Sequence, residues 1–173
     1  LLERRDEVGG RVRSVHEDGY TFDKGFQVLF TAYPAARREL DYDALDLRSF
    51  TGGATIAHPG RRSVLADPLG SPGDFTETLF NTDVRTTDKL RLFALRRELR
   101  RTSPDAVFDR GANRTIEAYL ADRGFSRKFV DNFAAPFYGG ITLDRSLSTD
   151  AGVFRYTFKM LSEGETAVPA GGM

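Results

Sequence analysis

The stretch Leu2-Glu3-Arg4-Arg5-Asp6-Glu7-Val8-Gly9-Gly10-Arg11-Val12 decides how this chain is read. Leu1-Leu2-Glu3 has the pattern of a buried strand ending on a carboxylate. In dinucleotide-binding folds an acid at the end of the second strand accepts hydrogen bonds from the adenosine ribose hydroxyls. A carboxylate only accepts, so on a rigid strand end it takes both hydroxyls at once. Gly9-Gly10 lets backbone approach a diphosphate without a Cβ clash. Arg11 then offers a planar cationic fork to phosphate oxygens. Taken singly these features are ordinary: a Glu near a chain start is more often a surface residue, and a Gly-Gly pair is more often a plain turn. Their succession carries the information.

Outward from this stretch, Val12 to Asp23 alternates around Asp18-Gly19, with Tyr20 and Phe22 on one face, and predicts a hairpin. Pro34 precedes a short helix over Ala35 to Leu40. Gly53 to Ile56 and Ser63 to Leu65 flank Pro59-Gly60 as a second hairpin, and Asp67 to Gly73, with its prolines and glycines, is a loop. Helices follow. Asp88 to Arg101 puts Leu92, Leu95 and Leu99 on one stripe and is stopped by Ser103-Pro104. Thr115 caps a helix to Arg123, with Gly124 in the left-handed position beyond it. Ser126 caps another, with Phe129, Phe133 and Phe137 four apart on one face. Thr149 is the expected cap of a helix whose inner face is Val153, Phe154, Thr157, Phe158 and Leu161, with Gly164 as its stop.

Composition narrows the chemistry. The 173 residues are 40% hydrophobic and 29% charged, a globular balance rather than a disordered one. Twenty-five basic and 25 acidic residues cancel, which gives no electrostatic case for nucleic acid. Among the basic residues Arg greatly outnumbers Lys, which reads as genome composition. There is no cysteine, so disulfides, thiolate metal sites and Cys nucleophiles are excluded. His16 and His58 are far apart and read as turn residues, so no metal site is expected. No apolar run reaches the roughly 18 residues of a membrane span. Leu1-Leu2 reads as a strand without its beginning, and Pro169-Ala170-Gly171-Gly172-Met173 as a turn before a further element. A fragment is therefore expected.

The combined N-terminal string is similar to the second-strand signature of the FAD-dependent amine oxidase, protoporphyrinogen oxidase and phytoene desaturase superfamily. Tyr20-Thr21-Phe22-Asp23-Lys24-Gly25-Phe26-Gln27 resembles the segment of that family where the chain passes the flavin. Pro136-Phe137-Tyr138-Gly139-Gly140-Ile141, with Leu147-Ser148, resembles the end of the substrate region in its desaturase relatives. Val168-Pro169-Ala170-Gly171-Gly172-Met173 resembles the turn leading back into the FAD domain. The family's glycine-rich phosphate loop, which would precede Glu3 by about 20 residues, and its C-terminal flavin segment are not in the sequence.

The resemblance implies an α/β (mixed α+β) fold: a partial FAD/NAD(P)-binding Rossmann-like domain with an inserted substrate-binding domain of hairpins and helices. Residues 1–30 are expected in the FAD-binding domain, 31–165 in the substrate-binding domain, and 166–173 back in the FAD-binding domain. FAD is the implied cofactor, with Glu3, Gly9, Gly10, Arg11, Gly25, Gly171 and Gly172 as its contacts. Phe133, Phe137 and Tyr138 are the candidate substrate contacts, although a helical aromatic stripe is more often plain core. Asp23 reads equally as a local turn residue or as a support near the flavin, and Arg4 and Arg5 as solvated. No catalytic side chain is singled out, as suits an enzyme whose cofactor carries the chemistry. The implied activity is hydride transfer from an organic, hydrophobic, polyene-like substrate to flavin N5, with an electron acceptor such as oxygen or a quinone. A flavin-dependent isomerase, or a non-catalytic truncated fragment unable to bind FAD alone, would carry the same motifs. The expected location is cytoplasmic, with room for peripheral contact with a membrane.

Overall fold

The computed structural model describes residues 2–7, 9–10, 12–25, 28–66, 81–109 and 113–172. Its elements, in chain order, are β1 (Ser14–Glu17), β2 (Tyr20–Asp23), β3 (Leu29–Phe30), α1 (Pro34–Glu39), β4 (Leu47–Ser49), β5 (Gly53–His58), β6 (Arg61–Ala66), α2 (Thr86–Arg100), α3 (Pro104–Asp109), α4 (Ile116–Asp122), α5 (Arg127–Phe129), a π turn (Val130–Ala134), α6 (Ala135–Thr142), α7 (Ala151–Glu163) and β7 (Thr166–Pro169). The chain is thus a mixture of helix and sheet. It forms two compact units, one of Leu1–Phe50 with Gly164–Met173 and one of Thr51–Glu163.

The first unit holds the β1–β2 hairpin, with Asp18 and Gly19 at positive φ in its turn. That backbone matches the twist of the flanking strands. Beside it in sequence stands a three-stranded sheet ordered β3-β7-β4, antiparallel throughout. Residues 31–50 therefore belong with the first unit and not with the helical block. The expected boundary at 30/31 moves to Phe50/Thr51 because β4 hydrogen-bonds to β7, matching Leu47 with Pro169 and Ser49 with Ala167. The strand expected at Leu1-Leu2 is corrected too. Leu1 lies outside the described residues, and Leu2 belongs to no strand and is fully exposed, at 103%. A strand is held by its ladder, and no described segment pairs with Leu2-Glu3. Every strand pair among the described residues is antiparallel.

Gly164 makes the join between α7 and β7. A Cβ there would stand 2.6 Å from the Ala32 nitrogen and 2.7 Å from Thr31 Oγ1. The close approach lets the Thr31 nitrogen donate to the Glu165 carbonyl at 2.9 Å, and the Glu165 nitrogen donate to Thr31 Oγ1 at 2.8 Å. Phe30, Ala32 and Ala167 are buried around this point. The glycine read from sequence as a helix stop is equally a packing requirement.

In the second unit the β5–β6 hairpin forms as its alternation predicts, and the loop expected over Asp67 to Gly73 lies outside the described residues. The helices pack a core of Leu95, Leu99, Val107, Ile116, Leu120, Phe129, Tyr138 and Phe154. Thr115 and Ser126 cap α4 and α5, accepting from the Ala118 nitrogen at 3.1 Å and the Phe129 nitrogen at 3.2 Å. The cap of α7 is Asp150, not Thr149: its Oδ1 accepts from the Gly152 nitrogen at 2.7 Å. Ser103-Pro104 ends α2 and also starts α3, since proline costs nothing at a helix's first position; that helix is absent from the sequence reading. The π turn has a local cause. Pro136 has no N–H and its ring crowds the carbonyl four residues earlier, and the wider turn just before it carries the ladder past, with the Ala135 nitrogen reaching the Val130 carbonyl.

Gly164→Ala is expected to destabilise the first unit by roughly 1–3 kcal/mol through overpacking. Gly171→Ala, with nothing within 4 Å of its added carbon, should change stability little. Urea unfolding of the two variants checks the pair.

Candidate functional site

The first candidate site lies in the first unit, around Glu3 and the Gly9-Gly10 turn. Glu3 is exposed, and its Oε1 accepts from the Arg5 nitrogen at 2.9 Å. A carboxylate carries a second oxygen that can accept as well. Gly9 and Gly10 take φ of 105° and 57°, conformations that side-chain-bearing residues rarely hold. The turn is closed by the Val12 nitrogen donating to the Gly9 carbonyl at 2.8 Å. Nothing lies within 4 Å of a Cβ built on Gly10, so its backbone is open to an approaching group. Arg11 lies outside the described residues, as do Phe26, Gln27 and Met173. Its near neighbour Arg13 pairs with Glu7 at 3.2 Å.

The chain end returns to the same unit. β7 is the middle strand of its sheet, and Gly172, at φ 90°, packs its α-carbon on the β1–β2 hairpin, against Ser14 and Thr21. Gly171 is exposed. Gly25, at φ 99° and exposed, follows Lys24, whose nitrogen donates to the Arg13 carbonyl at 2.7 Å. Asp23 accepts from the Ser14 hydroxyl across the hairpin, which is the local role of the two open for it. The resemblance implies a cofactor that carries ribose hydroxyls and phosphates. An exposed carboxylate and an open glycine turn have the chemistry to meet them.

The second candidate site lies in the second unit. Phe129 is core, while Phe133 and Phe137 are half-buried and stacked, 5.4 Å apart with ring planes 9° from parallel. Tyr138 is buried, with its ring edge-on to Phe154 at 4.6 Å. The close approach that Gly139 marks is made to this chain's own Arg145, since a Cβ would stand 2.8 Å from its Cγ. Asp144 anchors the turn that follows, accepting from the amides and hydroxyls of both Ser146 and Ser148. These bonds hold its carboxyl well below the usual carboxylate range.

Sequence reasoning missed the buried charges. Asp83 is fully buried and accepts from Arg61 at 2.8 and 2.6 Å and from the Ser63 hydroxyl at 2.5 Å. His58, read as a plain turn residue, stands with Nε2 3.2 Å from the same carboxylate. Asp88, also buried, accepts from the Ser126 nitrogen and hydroxyl at 2.9 and 2.5 Å. Lys159, on the face of α7 read as outer, is buried and donates to the Leu99 carbonyl at 3.0 Å, so that a cation meets the negative end of α2. Each charge is answered inside the protein, which makes them ties between elements rather than a reactive centre. No sequence signal marks them, because a lone Asp or Lys at these spacings reads as surface.

A family model, flavin containing amine oxidoreductase, matches residues 1–173, and the chain belongs to that family. No match was found among curated proteins or among solved structures. Among the described residues no helix is long and apolar enough to cross a membrane.

Arg61, first, and then the Ser63 hydroxyl hold the Asp83 carboxyl well below its ordinary value, against the opposing effect of burial. A carboxyl whose folded pKa is depressed contributes stability that is present above its unfolded value, near about 3.9, and lost as pH falls toward the folded one. Urea unfolding of the native chain should therefore lose stability from about pH 5 down to about pH 3. Asp83→Asn should start less stable and lose less over that window, keeping only the part due to groups such as Asp144.

Proposed function

We propose that this chain is part of an FAD-dependent oxidoreductase of the desaturase type, acting on an organic, apolar, polyene-like substrate. The observation that carries the reading is the Glu3 and Gly9-Gly10 arrangement: an exposed carboxylate acceptor and an open, positive-φ glycine turn, in a chain of a flavin-containing family. In this reading the first unit belongs to a Rossmann-like FAD-binding domain and the second to an inserted substrate-binding domain. Glu3 accepts from the ribose hydroxyls. The backbone of Gly9-Gly10 and the guanidinium of Arg11 meet the diphosphate, and Gly25, Gly171 and Gly172 let backbone lie close to the cofactor.

Bound flavin supplies the two-electron acceptor, and the protein supplies orientation and shielding. Phe133 and Phe137 present stacked, half-buried rings, a surface suited to a flat apolar chain. Tyr138 backs them from the core and keeps water out. Oxygen or a quinone is the proposed electron acceptor.

Two outcomes are expected. In the full-length protein, Glu3→Ala should weaken FAD retention by roughly 1.5–3 kcal/mol, the worth of a charge-assisted hydrogen bond. Equilibrium dialysis followed by flavin absorbance checks this, and unchanged affinity would remove Glu3 from the site. The 173-residue chain expressed by itself should purify colourless, because its sequence contains no Gly-x-Gly-x-x-Gly string of the kind that seats a diphosphate at a helix N-terminus. A yellow preparation holding stoichiometric FAD would mean that the site is more local.

A further inference from the structure

Phe93, Arg96, Arg97, Arg100 and Arg101 recur at helical spacing along α2 and its C-terminal end, and together they line one groove of about 270 Å³. Every polar side chain of that groove is a guanidinium, and among the described residues no carboxylate lines it. The acids of the helix are engaged elsewhere: Asp88 is buried on Ser126, and Glu98 is held by Arg123 at 2.7 and 2.8 Å. No described carboxylate forms an ion pair with Arg97, Arg100 or Arg101, which are all exposed. Basic residues in a last turn favour the helix dipole, but that end carries only about half a negative charge. Lys159 already meets it through the Leu99 carbonyl at 3.0 Å. Like charges gathered on one groove repel one another, and an anion among them removes that cost. Phe93 stands at the other end of the groove, 59% exposed. The supporting wall is fixed to α7, since Arg96 donates to the Ser162 carbonyl at 3.2 Å and Lys159 ties the end of the helix.

We infer that this groove binds a nucleoside polyphosphate. Phe93 takes the face of the base, a contact that tolerates any base because each has a π-face. The arginines take the phosphates, whose oxygens match the planar fork of paired N–H donors. From Phe93 to Arg101 the helix rises about 12 Å. An extended nucleoside polyphosphate spans a comparable length, so the base and the terminal phosphate are met at once. Inorganic phosphate would answer the arginines and leave Phe93 bare, and an apolar ligand would do the reverse. A nucleic acid strand needs basic surface beyond one groove, and the chain as a whole is neutral. The groove is at the small end of ligand pockets, so the nucleotide lies along the helix with one side in solvent. The groove is in the second unit and the Glu3 and Gly9-Gly10 turn in the first, so the inference does not rest on the flavin reading.

The test is calorimetric titration of ATP, and separately of inorganic triphosphate, into the full-length protein with FAD in excess and no divalent cation. ATP should bind more tightly than triphosphate. Arg97→Gln combined with Arg100→Gln should weaken both ligands by about a hundredfold, about tenfold for each guanidinium lost. Phe93→Ala should weaken ATP by about tenfold, the worth of one stacked base, and leave triphosphate unchanged. These side chains are exposed, so far-ultraviolet circular dichroism of both variants should match the parent. No binding at millimolar ATP, or equal affinity for ATP and triphosphate with Phe93→Ala without effect, would overturn the inference. So would an ATP signal that excess FAD removes, which would put the nucleotide in the cofactor site. Tighter binding of single-stranded DNA or anionic vesicles than of ATP through the same arginines would overturn it too.

Discussion

The first unit depends on the insertion of β7 between β3 and β4. Four residues, Thr166–Pro169, supply both neighbours with backbone partners, and no other described segment does so. Without it the short strands Leu29–Phe30 and Leu47–Ser49 would carry unanswered N–H and C=O groups, a cost no side-chain contact nearby would offset. The insertion is possible because Gly164 allows the chain leaving α7 to touch Thr31 and Ala32. It also brings Gly171 and Gly172 into the unit that holds Gly9 and Gly10. Closing a long loop costs entropy that grows only slowly with its length, and the intervening Thr51–Glu163 has its own core. A self-contained second unit between the two halves of the first is therefore thermodynamically reasonable.

The helices were legible in the sequence where local rules act alone. Thr115 with Gly124, Ser126, and the Leu95 and Leu99 stripe all mark real elements, because caps and apolar periodicity are set within a few residues. The three-stranded sheet was not legible. Leu29–Phe30 and Leu47–Ser49 are too short to show alternation, and Thr166–Pro169 carries a proline that reads as turn. Their structure comes from long-range pairing, which no window of sequence contains. The π turn before Pro136 and the cap of α7 by Asp150 rather than Thr149 are local misreadings of the same kind of signal. Arg155 and Lys159, both buried on α7, lie on a face that periodicity assigns to solvent, because long cationic side chains reach distant carbonyls and rings.

The candidate site divides in the same way. The turn at Gly9-Gly10 was readable because it needs only residue type and backbone freedom, and both glycines do take positive φ. Their expected support, a strand ending at Glu3, is not formed among the described residues, where no segment pairs with Leu2-Glu3. In the second unit the aromatic spacing identified a real ladder of rings from Phe129 through Phe133 to Phe137. It did not tell the buried rung from the half-open ones. Gly139 shows the limit of reading glycine as a ligand marker, since its neighbour is Arg145.

We propose that the front glycine turn and the returning chain end, which share one compact unit, form one cofactor-binding surface. Amide hydrogen exchange on the full-length protein, with and without FAD, measures it most directly. The account predicts that FAD slows exchange at residues 9–13 and 170–172 together, with smaller changes over the core of Thr51–Glu163. Protection confined to residues 51–163, or exchange at 9–13 indifferent to FAD, would contradict it.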